Sequence, residues 1–173
     1  MQIDPMIVEK AIAPLLGLPL WASARAGDMQ TFQFGDAREK TVQIGARKGT
    51  KIVVGAFALH VQCAWRLMAP DGIWVASGDL FVPAGNPDVK PVDWDWMKHG
   101  SNRRDERIEH WFARAPHHVE GVRADEFGGL VLALAGRCAL EVFPDDSLEH
   151  EHWRLLQPTE DTRHLVVTGL GLE

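Results

Sequence analysis

The chain has 173 residues, 46% hydrophobic and 24% charged, the balance of a packed globular protein and not of a disordered tail. Its net charge is -6, and residues 91–173 hold sixteen of the 24 acidic groups but only nine of the 18 basic ones. A surface of that sign repels phosphate backbones and disfavours general nucleic-acid binding. No stretch reaches the roughly 20 uninterrupted apolar residues of a membrane helix.

Asp4-Pro5 opens the first predicted helix. Asp4 can cap free amides, and Pro5 sits where its missing N–H costs nothing. Ile7, Val8, Ala11, Ile12 and Leu15 form one apolar face, so a helix is expected near residues 5–16, ended by Gly17 and Pro19. Ala11–Trp21 followed by Ala22-Ser23-Ala24 imitates an export signal. The flank is wrong, because Asp4 and Glu9 outweigh Lys10 and two prolines interrupt the apolar run; a cytoplasmic location is expected instead.

Extended segments follow at Leu20–Arg25, Met29–Phe34, Thr41–Gly45, Lys51–Val54, Ala58–Leu67 and Ile73–Ser77, separated by turn-forming Gly, Asp and Pro. Between Gly45 and Lys51 lies a basic hairpin tip that lacks the spacing and residue order of a phosphate loop. Residues 81–116 form the connection, rich in Pro and Gly, and end in a helix expected near 101–114. Its Ile108, Trp111, Phe112 and Ala115 face apolar surface, with Arg103, Arg104, Asp105, Glu106, Arg107 and Glu109 on the wet side. Cys63 and Cys138, isolated in apolar stretches, read as buried free thiols.

The second half echoes the first. Trp65-Arg66-Leu67-Met68-Ala69-Pro70 matches Trp153-Arg154-Leu155-Leu156-Gln157-Pro158, and Ile73–Gly78 matches Leu165–Gly169. Arg25-Ala26 before one alternating strand echoes Arg123-Ala124 before another. The expected architecture is therefore α+β: one domain over 1–173, mainly antiparallel strands in two duplicated β-meander units, near 15–80 and 117–171, with two short helices. Each unit has an apolar face that the other covers or extends.

Candidate chemistry is sparse. In a strand, His150 and His152 would share one face and could ligate zinc or a similar divalent metal; in the short helix that Asp146 or Ser147 could cap, they would diverge and face solvent. His117 and His118 form a second candidate metal pair. Asp93-Trp94-Asp95-Trp96 would place two carboxylates opposite two indoles if extended, a pattern of ligand grooves. As loop anchors the two tryptophans would simply pin the connection. Glu149 and Glu151 complete an acidic segment suited to binding.

Leu15-Leu16-Gly17, then Leu140–Asp145, Glu151–Leu156 and the closing Val166-Val167-Thr168-Gly169, resemble the pattern of small bacterial proteins of uncharacterised families, some of them like toxin-immunity proteins. The resemblance implies a protein-interaction or immunity-like module, whose acidic half would attract a basic partner. The alternative is a metal-dependent or small-molecule-binding enzyme with a cleft between the two repeats, lined by His117, His118, Asp93 and Asp95. A homo-oligomer paired along a sheet edge is the third reading.

Overall fold

The computed structural model describes residues 2–43, 45–114 and 117–173. Helix α1 (Pro5–Ile12) is capped by Asp4, which accepts from the Met6 amide, and passes into a tight 3-10 turn at Ala13–Leu15. Pro14 explains the change, since proline in a helix interior removes a hydrogen bond and clashes with the preceding turn. Five strands follow with a side hairpin among them: β1 (Pro19–Ala26), β2 (Met29–Phe34), β3 (Arg38–Thr41), β4 (Lys51–Val54), β5 (Phe57–Val61), β6 (Ala64–Ala69) and β7 (Gly72–Ala76). Helix α2 (Arg103–Phe112) precedes β8 (His117–Ala124), β9 (Leu130–Leu134), β10 (Cys138–Phe143), β11 (Glu151–Leu156), β12 (Leu165–Thr168) and the short β13 (Gly171–Leu172).

All strands except the hairpin β3–β4 join one antiparallel sheet in the order β13-β12-β11-β5-β2-β1-β8-β9-β10-β6-β7. The α+β class, mainly antiparallel with two short helices, is thus observed. The segment expected as one strand over Ala58–Leu67 is two, broken at Gln62-Cys63, where both amides donate to the carbonyl of His152. The strand expected at Thr41–Gly45 lies earlier, at Arg38–Thr41, because those residues pair with Val54–Lys51.

That break dictates the shape. Strands β5 and β6 stand six places apart in the sheet, about 29 Å if it were flat. The two residues between them span at most about 11 Å. The sheet therefore rolls up, and the ring closes through the chain itself: β5 runs into β6 while pairing with β11, and β10 pairs with β6 before running into β11.

The interior of the roll is apolar. Leu20, Phe32, Phe34, Leu59, Leu67, Leu132, Leu140 and Trp153 are fully buried, and Trp65 and Phe32 pack at right angles with ring centroids 5.2 Å apart. Trp65 stands opposite Val142 on β10, and Trp153 opposite Val61 on β5. Val8, Ile12 and Leu15 of the N-terminal helical segment are also fully buried, with α1 packed on β8. Ile108 and Trp111 seal α2 against β1 and β7.

The wet-side assignment of α2 needs correction: Arg104 is 1% and Asp105 9% exposed. Arg104 spans the space to the β1–β2 turn and donates twice to the Asp28 carbonyl, at 3.0 and 3.1 Å. Asp105 is drawn inward by Arg25. Cys63 and Cys138 are buried free thiols, and burial with the nearby Asp145 charge pushes the Cys63 thiol up to about 12. Ala115 lies outside the described residues.

Truncating either indole should leave a large void in this roll. Trp65→Ala and Trp153→Ala are each expected to lower unfolding free energy by about 3–5 kcal/mol, read from urea denaturation midpoints. A loss below 1 kcal/mol for either would contradict its place at the centre of the core.

Candidate functional site

A cleft of about 230 Å³ opens between β1 and α2, with Ala22, Ser23, Ala24, Arg25 and Gln30 on the sheet side and His99, Asp105, Ile108, Glu109 and Phe112 on the other. It exists because β1 meets β8 only at Pro19↔His118 and Leu20↔His117. Beyond those pairs α2, not a strand, stands beside β1.

The floor is built on an ion pair. Arg25 grips Asp105 with two parallel bonds, Nε to Oδ1 at 2.7 Å and Nη2 to Oδ2 at 3.0 Å, both side chains 6% exposed. Such a fork is the strongest geometry for this pairing. The same guanidinium donates to the carbonyls of Trp96 and Met97, so it also holds the loop before α2. Asp105 Oδ2 accepts from the Gly100 amide and from Asn102 Nδ2, while Asn102 Oδ1 caps the helix through the Asp105 amide. Burial works against the Asp105 charge, but the Arg25 bonds and the Gly100 amide hold its carboxyl below the ordinary value of 3.8.

Gln30 is the unusual member. It occupies an inward position of β2, alternating with Phe32 and Phe34, and is 2% exposed. Its Nε2 donates to Ser23 Oγ at 2.7 Å, and Ser23 Oγ donates onward to the Thr31 carbonyl. That relay leaves Gln30 Oε1 buried with no hydrogen-bond partner among the described residues, in a residue that lines the cleft. An orphaned buried acceptor costs about 1–3 kcal/mol, and it marks where a donor is wanted.

In comparisons with protein-family models, curated proteins and solved structures, nothing matches this chain.

The residues singled out in the sequence fall in separate places. Trp94 and Trp96 are half-buried loop anchors: Trp94 Nε1 donates to the Ser101 carbonyl under a Lys90 cation, and Trp96 meets Phe81 edge-on at 5.4 Å. Asp93 and Asp95 are exposed beside them, Asp95 accepting from the Met97 amide. His117 stacks on Trp111 at 4.5 Å, with Nδ1 3.3 Å from the Ala135 carbonyl, whereas His118 is exposed. As consecutive strand residues they face opposite sides and do not converge on one ion. Thus none of His117, His118, Asp93 or Asp95 lines the β1–α2 cleft.

No helix forms around His150; β11 begins at Glu151. A register shift between Glu151 and Trp153 turns His152 inward beside Trp153, both buried, while His150 stays exposed next to Asp146. The two histidines therefore do not share a strand face. Glu149 is exposed. Glu151 pairs with Arg154, and that bond and charge outweigh burial to hold its carboxyl below the ordinary range.

Arg25, Gln30 and Asp105 were missed as a site. Only Gln30 left a trace in the sequence, a polar residue on the apolar side of an alternating strand.

Because the folded-state value of Asp105 is depressed, its ion pair stabilises the fold above 3.8 and the contribution is lost as pH falls below it. Asp105→Asn, which leaves Arg25 buried and unpaired, should cost about 3–5 kcal/mol at neutral pH. It should also flatten the acid limb of the stability-against-pH curve, measured by urea unfolding across acidic buffers. An unchanged acid limb would place the titrating group elsewhere.

Proposed function

We propose that this chain is a duplicated β-unit protein that binds a small molecule in the cleft between its halves, recognising a hydrogen-bond donor through Gln30 Oε1. The duplication is supported by topology. Exchanging α1, β1, β2, β5, β6 and β7 for α2, β8, β9, β10, β11 and β12 maps each main pairing onto another, with β1–β8 mapped onto itself. Both leading strands also carry an irregularity at matching points, Leu20/Ala22 and Val119/Gly121. Counted from those points, Arg25↔Gln30 corresponds to Ala124↔Leu130, one residue away from the Arg-Ala echo in the sequence.

That correspondence isolates the site. Where the second half has alanine and leucine, the first has a buried arginine and a buried glutamine. A polar pair retained inside an otherwise apolar repeat costs stability, and the cleft beside it supplies the reason. Its walls are apolar at Ile108, Phe112, Ala22 and Ala24; the acidic Glu109 stands among them, and Asp105 is already committed to Arg25. The favoured ligand carries an amino or hydroxyl donor on a short apolar body. It is smaller than the drug-sized molecules that fill clefts of roughly 300–1,000 Å³.

Convergent polar groups in a cleft between the halves favour this reading over a flat acidic docking face for a basic or toxin-like protein. The single observation carrying it is the orphaned Gln30 acceptor. A ligand-observed NMR screen of small aryl and alkyl amines and alcohols should yield saturable binders. Gln30→Leu, copying Leu130, should weaken them at least tenfold while raising stability by about 1 kcal/mol, since no acceptor is left unpaired. Binders that hold the variant equally well, or a screen without any saturable hit, would end the proposal.

A further inference from the structure

We infer that the connection from β10 to β11 forms a divalent-metal site at Asp145, Asp146 and His152, fitted to a borderline cation such as zinc. The irregularity in β11 carries the inference. By turning His152 inward it leaves an imidazole 1% exposed with Nε2 lacking any hydrogen-bond partner among the described residues. A buried ring nitrogen that stands 3.9 Å from a carboxylate oxygen without bonding it needs an explanation.

The distances supply one. His152 Nε2 lies 3.9 Å from Asp146 Oδ1, and Nδ1 lies 3.8 Å from Asp145 Oδ1. Both are too long for hydrogen bonds. One donor atom from each of the three residues falls within 4.8 Å of the others. An imidazole offers one ion only one of its nitrogens, so a single His152 nitrogen and one oxygen from each aspartate, already within 4.8 Å of one another, would draw in to the roughly 3.4 Å that separates ligands about 2.0–2.2 Å from a tetrahedral zinc.

The donors are already held in place. The carbonyl of His152 accepts from the Gln62 and Cys63 amides, which anchors the backbone at the crossing between β5 and β6. Asp145 Oδ2 accepts from the Ala64 amide, leaving Oδ1 for the ion. Asp146 Oδ1 accepts from the Leu148 amide, and its Oδ2 lies 3.1 Å from His150 Nδ1. Outer bonds of this kind orient ligands around metals. Both aspartates face solvent, so remaining coordination positions are open to water or to His150. One imidazole with two carboxylates suits zinc, manganese or ferrous iron better than thiolate-seeking cuprous ion or oxygen-only calcium.

The test uses the untagged full chain and zinc alone as probe. Calorimetry should show saturable uptake of one ion per chain, and zinc should raise the melting temperature. Nitrogen-15 spectra should move the ring signals of His152. The double variant Asp145→Asn/Asp146→Asn alters only exposed side chains and should melt near the wild type without metal. It should lose at least tenfold in affinity and the zinc-induced rise. No saturable uptake, undiminished affinity in the double variant, or ring shifts confined to other histidines would each overturn the assignment.

Discussion

Everything in this structure depends on an exchange of strands between the two halves. Each half begins a sheet with three of its own strands and then sends its tryptophan-bearing strand to the far edge of the other. β6 completes β10, and β11 completes β5. Neither half can close its own edge, so the roll forms only when both do so together. The buried apolar area that drives folding is thereby shared across the chain, with Trp65 and Trp153 seated opposite Val142 and Val61 at the crossing. Contacts of such long sequence separation slow folding, because loop entropy is lost before the contacts form.

The helices follow the same cross-wise logic. α1 precedes β1 yet packs on β8; α2 precedes β8 yet contacts β1. The two docks differ in chemistry. Against β8, α1 contributes an apolar face and one carboxylate, Glu9, accepting from the Ala124 amide. Against β1, α2 brings Asp105 and Arg104, both buried, and with them the ion pair to Arg25 that ties down the preceding loop. A buried pair of this kind is a weak source of net stability. Its effect is geometric: it ties α2 to β1 at Arg25 and fixes the loop before the helix.

The strand crossings also place the remaining polar groups. Gln62-Cys63 and residues 144–150 are the two points where the chain crosses from one half of the rolled sheet to the other, and at one of them the His152 carbonyl serves two amides at once. The local irregularity needed there turns the His152 ring into the interior, next to carboxylates that its neighbours in sequence supply. Irregularities in strands commonly re-aim a side chain in this way.

Much of the fold was legible without coordinates. Period-two alternation at Met29–Phe34 and Leu130–Leu134, the Asp4-Pro5 helix start and the Ile108–Trp111 stripe are local signals, because side-chain direction within one element follows from its own periodicity. The matched tryptophan hexapeptides and the isolated, buried cysteines were legible for the same reason. Tertiary pairing alone decided that β6 and β11 change sides, that Arg104 and Asp105 leave the wet face of α2, and that His150 and His152 part company. Those outcomes depend on which distant backbone or charge a residue meets. Arg25 and Asp105 stand 80 positions apart, and no local periodicity records a partner so far away.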